Sequence, residues 1–227
     1  MNMGTLKEEL EEFEKHILEQ KINENADETK LQELFEKLAP AFLYGGYIKV
    51  RNDYRVYIRT VEFYFHCEKE NGIHDPIVYH RNRRDYDGYV LEEVPYFQLM
   101  RLNAHNSGFD ITFESENGEY RASALIRSYE IKNKDGMYLV WDTIEHTFKT
   151  KTYGYNKQST YLYAFLNGFS LGESNNIYWM DDFKKKSDVP KREPRQNVFK
   201  SANEFEYKKL AGERCTRKWS FTREEQV

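Results

Sequence analysis

The stretch that most restricts the fold is Val56–Phe65, VYIRTVEFYF. Its β-branched and aromatic residues read as one long β-strand. A single carboxylate, Glu62, stands among Val61, Phe63, Tyr64 and Phe65. Glu is disfavoured in strands and seldom buried without a partner. Side chains alternate along a strand, which predicts Ile58, Thr60, Glu62, Tyr64 and His66 on one face and Val61, Phe63 and Phe65 on the other. An acid, a phenol and an imidazole on one face, with His80 down a short loop, is the most site-like arrangement in the chain. The plain alternative is an edge-strand Glu facing water.

The pattern around this strand places it in an α+β fold. Thr5 and Glu8 form a capping-box pattern ahead of an amphipathic helix over residues 5–20, with Leu6, Leu10, Phe13, Ile17 and Leu18 at helical spacing. A second helix is expected from Asp27 to Leu38, ended by Pro40. Together they make an N-terminal helical hairpin over residues 1–40, an appendage to an α+β domain over residues 41–227. Tyr96–Leu102 is strand-like, and Ala104–Gly108 reads as a turn. Phe109–Phe113 is expected to pair with Tyr120–Tyr129 through the Asn117-Gly118 turn. Further elements are a strand pair at Met137–Trp141 and His146–Thr150, a helix over Ser159–Asn167 stopped by Gly168, and a strand at Ile177–Met180. Residues 184–195 read as a loop, followed by a helix at Ala202–Leu210 and a last strand at Lys218–Thr222. Strands cluster without regular βαβ alternation, so the expectation is a single domain with a curved, mainly antiparallel sheet and short flanking helices.

Tyr 18 and Phe 15 among 227 residues make the expected core aromatic, and supply flat faces on which nucleobases could stack. Net charge is −4, which excludes a uniformly basic nucleic-acid binder. The charge is uneven: residues 1–40 carry five Lys against eleven acids, and residues 184–227 carry thirteen Lys and Arg against seven acids. Such asymmetry suits an acidic cap beside a basic contact surface, or simply two solvated faces. No apolar run reaches the length of a membrane span, and the first residues lack the pattern of a signal peptide. With two cysteines, Cys67 and Cys215, the expectation is a cytoplasmic protein without a membrane partner.

Arg127 is the natural partner for Glu62. Its strand, RASALIRSYE, puts Ala122, Ala124 and Ile126 on one face and Leu125, Arg127 and Tyr129 on the other. An Arg in so apolar a strand needs an acid or a phosphate. Glu130 and Asp110 are alternative, purely structural partners. His66, Cys67, His74, Asp75 and His80 are residue types that suit zinc, but their spacing matches no common site, and no metal is expected. Cys67 as a nucleophile lacks an oxyanion-hole signature.

Several segments line up in order with one family. LAPAFLYGGYIKVRNDYRVYIRTVEFY, the run from His74-Asp75 to His80, SGFDITF with ASALIRSYE, YLYAFLNG, and the segment REPRQNVFKSANEFEYKKLAGERCTRKWSF together resemble the alkyladenine (3-methyladenine, or methylpurine) DNA glycosylases. The resemblance implies that fold and a base-excision hydrolase that needs no cofactor. It implies Glu62 as the catalytic base that activates water and Arg127 beside it. Tyr64 and His80 would contact a flipped base, and Asp110 would stand where the family has a purine-gating Asn. The implied partner is DNA, single-stranded or damaged, with a protein partner at the acidic N-terminal helices as a further option. The chain departs from the pattern in YFQLMRLNAHNSG, which has no Tyr before the Gly where the family carries its DNA wedge. The same resemblance therefore admits a catalytically altered binding module on the same fold.

Overall fold

The computed structural model describes residues 4–75, 77–85, 87–105, 108–170, 176–182, 189–195 and 217–223. The helix expected at 202–210, and Cys215, lie outside them. The chain is α+β, with a curled antiparallel sheet and N-terminal helices in one domain.

Helix α1 (Leu6–Glu19) starts at the expected capping box: Thr5 Oγ1 accepts from the Glu8 amide, and the Glu8 carboxylate accepts from the Thr5 amide. Helix α2 (Glu28–Tyr44) runs through Pro40 rather than ending there. The proline removes one helical hydrogen bond, the one to the Glu36 carbonyl, on an exposed residue where water can replace it. Leu38 and Ala39 before it, and Ala41, Phe42 and Leu43 after it, are all buried, and that packing carries the helix on.

The sheet is built on two long strands, β2 (Tyr54–Cys67) and β7 (Tyr120–Asn133), paired along their length. Different neighbours flank each end of this pair. At one end β1 (Gly46–Val50) and β10 (Ile177–Asp181) extend the sheet beyond β2, and β8 (Tyr138–Asp142) with β9 (Thr147–Lys151) beyond β7. At the other end β12 (Ser220–Thr222) and β11 (Lys191–Glu193) lie beside β2, and β6 (Gly108–Thr112) with β5 (Leu102–His105) beside β7. A separate ribbon pairs β3 (Arg83–Arg84) with β4 (Val90–Glu92). Helix α3 (Ser159–Ser170) packs near β6, with the Ser159 hydroxyl accepting from the Phe109 amide. It runs two residues past Gly168 instead of stopping before it.

The expected strand at 96–102 is not formed. Met100 takes a positive φ of 60°, and Gln98–Arg101 fold as a turn against Thr112, so β5 begins only at Leu102. Of the turn expected at 104–108, Ala104 and His105 belong to β5 and Gly108 to β6, and residues 106–107 lie outside the described residues.

The two ends of the sheet meet at a pair of β-bulges. Ile58 pairs with Tyr129, Thr60 with Ser128 and Val61 with Ile126, leaving Arg59 and Arg127 as the extra residues. This overturns simple alternation across the site. Ile58 and Tyr129 belong to the core with Val61, Phe63, Phe65, Ala124 and Ile126, on the face opposite to Glu62. That core face is covered by α1 and α2. Phe35 of α2 stacks on Phe63 at 4.6 Å, Phe13 of α1 packs on Phe35 and Phe113, and Trp219 closes on Phe35. Leu6, Leu10, Phe13 and Ile17 lie in the same apolar cluster as the sheet, while Leu18 of the predicted stripe is 40% exposed. Among the described residues no helix is long and apolar enough to cross a membrane.

Candidate active site

The outer face of the sheet, away from α1 and α2, is polar and yet buried. Paired residues in an antiparallel sheet point to the same side. Register therefore lines up Asn103, Asp110, Leu125, Glu62 and Ser220 in one row across β5, β6, β7, β2 and β12. Thr112, Ser123 and Tyr64 form the next row, and Arg121 with His66 the one after.

Glu62 has no exposed surface, and its Oε1 accepts from two donors. Arg127 Nη2 donates at 2.6 Å, and the Tyr64 hydroxyl donates to the same oxygen. Arg127 Nη2 also lies 3.1 Å from the Tyr64 oxygen, which closes a three-member cluster. The bulge at Arg127 makes this possible, since an extra residue in a strand re-aims a side chain and increases local twist. Burial, and then the Glu62 carboxylate, push the Tyr64 phenol well above its ordinary pKa of 10.0, so Tyr64 keeps its proton and serves as a donor. Burial works against the Arg127 charge, but Tyr64 and Glu62 outweigh it and hold its pKa above the usual 12.5. The structural alternatives for Arg127 are otherwise engaged: Glu130 takes Arg59 at 2.7 Å, and Asp110 takes His105 Nε2 at 3.1 Å.

A second buried cluster stands beside Tyr64. The Arg195 guanidinium lies 4.8 Å above the Tyr64 ring and 5.1 Å from Trp219, and donates to Asp75 at 2.5 Å. Arg217 approaches the same Asp75 oxygen at 3.6 Å and pairs with Glu28 of α2. Burial alone would raise the Asp75 pKa; Arg195 and Arg217 outweigh it and hold it below 3.8. Three described arginines of the basic C-terminal segment are thus committed to internal acids: Arg192 pairs with Glu36, Arg195 with Asp75 and Arg217 with Glu28, while Arg223 lies 5.3 Å from the Tyr44 ring. Residue spacing gave no sign of these contacts, which join positions more than a hundred residues apart.

His80, in the loop after β2, is buried. Its Nδ1 pairs with Glu114, and its ring stacks on Phe97 at 5.4 Å and meets Tyr79 edge-on at 4.8 Å. Glu114 also accepts from Arg121 at 3.1 Å and from the Phe97 amide at 2.8 Å. Arg121 is 1% exposed, bonds Glu68 and Asn82, and lies 3.6 Å over Tyr96. The structure therefore brings Glu62, Tyr64 and Arg127 into direct contact, sets Asp110 in the row of Glu62, and gives His80 to Glu114.

The candidate zinc residues disperse. Cys67 Sγ bonds the Asn23 carbonyl, His74 bonds the Lys69 carbonyl, and His66 Nδ1 accepts from the Asp75 amide. Among the described residues no group of three or more such side chains could hold a metal ion. Burial pushes the Cys67 thiol up to about 11, which keeps it protonated and a poor nucleophile.

No protein-family model, curated protein or solved structure matches this chain.

Proposed function

We propose that the protein is an N-glycosylase-type hydrolase acting on a modified purine nucleotide in DNA. The observation that carries this reading is the fully buried Glu62 carboxylate, gripped on one oxygen by Arg127 and Tyr64. A carboxylate so placed is held in one orientation by a charge-assisted bond. In the proposed reaction Glu62 takes a proton from water as the water oxygen adds to the sugar anomeric carbon. The carbon–nitrogen bond to the base breaks, and the base leaves with the bonding pair and a proton. Arg127 and Tyr64 position the acid. Asp110, held by His105, lies in the same row as Glu62, where a base held over the sheet would present its edge. An acceptor there favours a base that offers an amino group.

A binding module on the same fold is the competing reading, favoured by the way Asp75, Glu68 and Glu114 fill the neighbouring outer face with internal ion pairs. Base release from single- and double-stranded DNA carrying hypoxanthine, ethenoadenine or methylpurines separates the two. Wild-type release that falls about 100-fold or more in Glu62→Gln supports the hydrolase. Absence of release from every substrate sinks it.

A further inference from the structure

The other end of the sheet carries a second row on the same outer face. Register joins Tyr178, Lys49, Arg55, Lys132, Tyr138 and Lys151 across β10, β1, β2, β7, β8 and β9. Side chains at these paired positions point away from the α1–α2 core, because their neighbours Ile48, Val56 and Ile131 point into it. The row is cationic with tyrosines set between the charges. Lys49 lies 5.7 Å from the Tyr178 ring, Arg55 5.3 Å from Tyr47, and Lys132 4.6 Å from Tyr138. Tyr178 is 40% exposed. Among the described residues Lys49, Arg55 and Lys151 make no ion pair with a carboxylate, and Lys132 meets only Glu130, at 3.7 Å. That charge is left for a ligand.

Six strands at ~4.8 Å spacing give the row a length of about 24 Å. A partner for it must be extended, polyanionic and able to stack flat groups on phenol rings. We propose that this face binds single-stranded nucleic acid, with phosphates on Lys49, Arg55, Lys132 and Lys151 and bases against Tyr178 and Tyr138. A duplex hides its base faces and makes no use of the tyrosines. The row crosses β2 at Arg55, and Tyr57 and Glu62 follow it along the same strand, so the row and the candidate active site are two separate places on one outer face. The inference rests on its own residues and stands whether or not Glu62 is catalytic.

The test is fluorescence anisotropy of labelled oligo-dT and oligo-U of about 16 nucleotides with the full chain. Affinity is expected to fall with salt at a log–log slope of about −2 to −3, the value for three to four phosphate contacts on a single strand. The triple variant Lys49→Glu, Arg55→Glu, Lys151→Glu is expected to bind about 30-fold or more weakly with a flattened slope. Tyr178→Ala with Tyr138→Ala is expected to lose about 5-fold or more while keeping the slope. Circular dichroism and melting curves check that these surface variants fold. Wild-type binding of the oligomers without base release from any modified substrate keeps the platform and rejects the glycosylase. Binding of either oligomer, with or without a preference between them, supports the platform. No binding of either oligomer, tighter binding of a matched duplex, or undiminished affinity in the triple variant overturns it.

Discussion

Asp75 shows what the buried ions of the outer face contribute. Its carboxylate and the Arg195 guanidinium are both fully buried, with Arg217 as the second cation. Asp75→Asn leaves Arg195 charged and without its counter-ion, at an expected cost of about 3–5 kcal/mol in unfolding free energy. Adding Arg195→Met is expected to recover much of it, because the stranded charge is then gone. The lowered Asp75 pKa fixes the sign of the pH dependence. Its stabilisation is present above the ordinary value of 3.8 and is lost as the pH falls through the lower native value. Melting temperature against pH is expected to drop more steeply below about pH 4 in wild type than in Asp75→Asn. None of this was legible in the sequence. Glu62 with Arg127 could be paired by residue type and strand position, whereas Asp75 with Arg195 joins a loop to a segment just past β11, and nothing local marks either as buried.

Elements governed by local chemistry matched their sequence signals. The capping box began α1, and Phe109–Phe113 paired with the strand that follows Asn117-Gly118. Elements decided by packing did not match. Pro40 is the clearest case: a signal that ordinarily ends a helix lost to five buried side chains around it. Pro40→Ala is therefore expected to restore a hydrogen bond, relieve the ring clash and raise stability by about 1–3 kcal/mol, read as a higher urea midpoint at unchanged m-value. The bulges were hidden for a related reason. Period-2 reading has no place for an extra residue, and it set Ile58 with Glu62 and Tyr129 with Arg127, on the wrong face in both cases. The site survived that error because Glu62 and Tyr64 lie on the same side of the bulge.

Across the whole molecule the sheet separates two charge environments. The acidic helices, eleven acids against five lysines in residues 1–40, cover one face, and the Lys49–Arg55–Lys132–Lys151 row lies on the other. The helices are part of the fold's interior. Burying Leu6, Leu10, Phe13 and Ile17 stabilises by roughly 6–12 kcal/mol before ordering costs, comparable with the ~5–15 kcal/mol of a typical domain. A chain starting at Glu28 is expected to lose its cooperative thermal transition and to bind hydrophobic dye; a sharp melt would show that α1 is dispensable. The bulge pair gives the molecule one further property. With Arg59 and Arg127 struck out, both strands scan in an unbroken two-beat metre: Val56, Ile58, Val61, Phe63 and Phe65 inward on one, Ala122, Ala124, Ile126, Tyr129 and Ile131 inward on the other. The two arginines are thus interpolations in a line that reads correctly without them, each set against its own acid, Glu130 or Glu62. A chain lacking both arginines, with Glu62→Gln and Glu130→Gln to neutralise what they leave behind, is expected to keep a cooperative melt and an unchanged core by near-ultraviolet circular dichroism. The barrel-like shell and the chemistry written on it are then separate texts, and the second can be edited without rewriting the first.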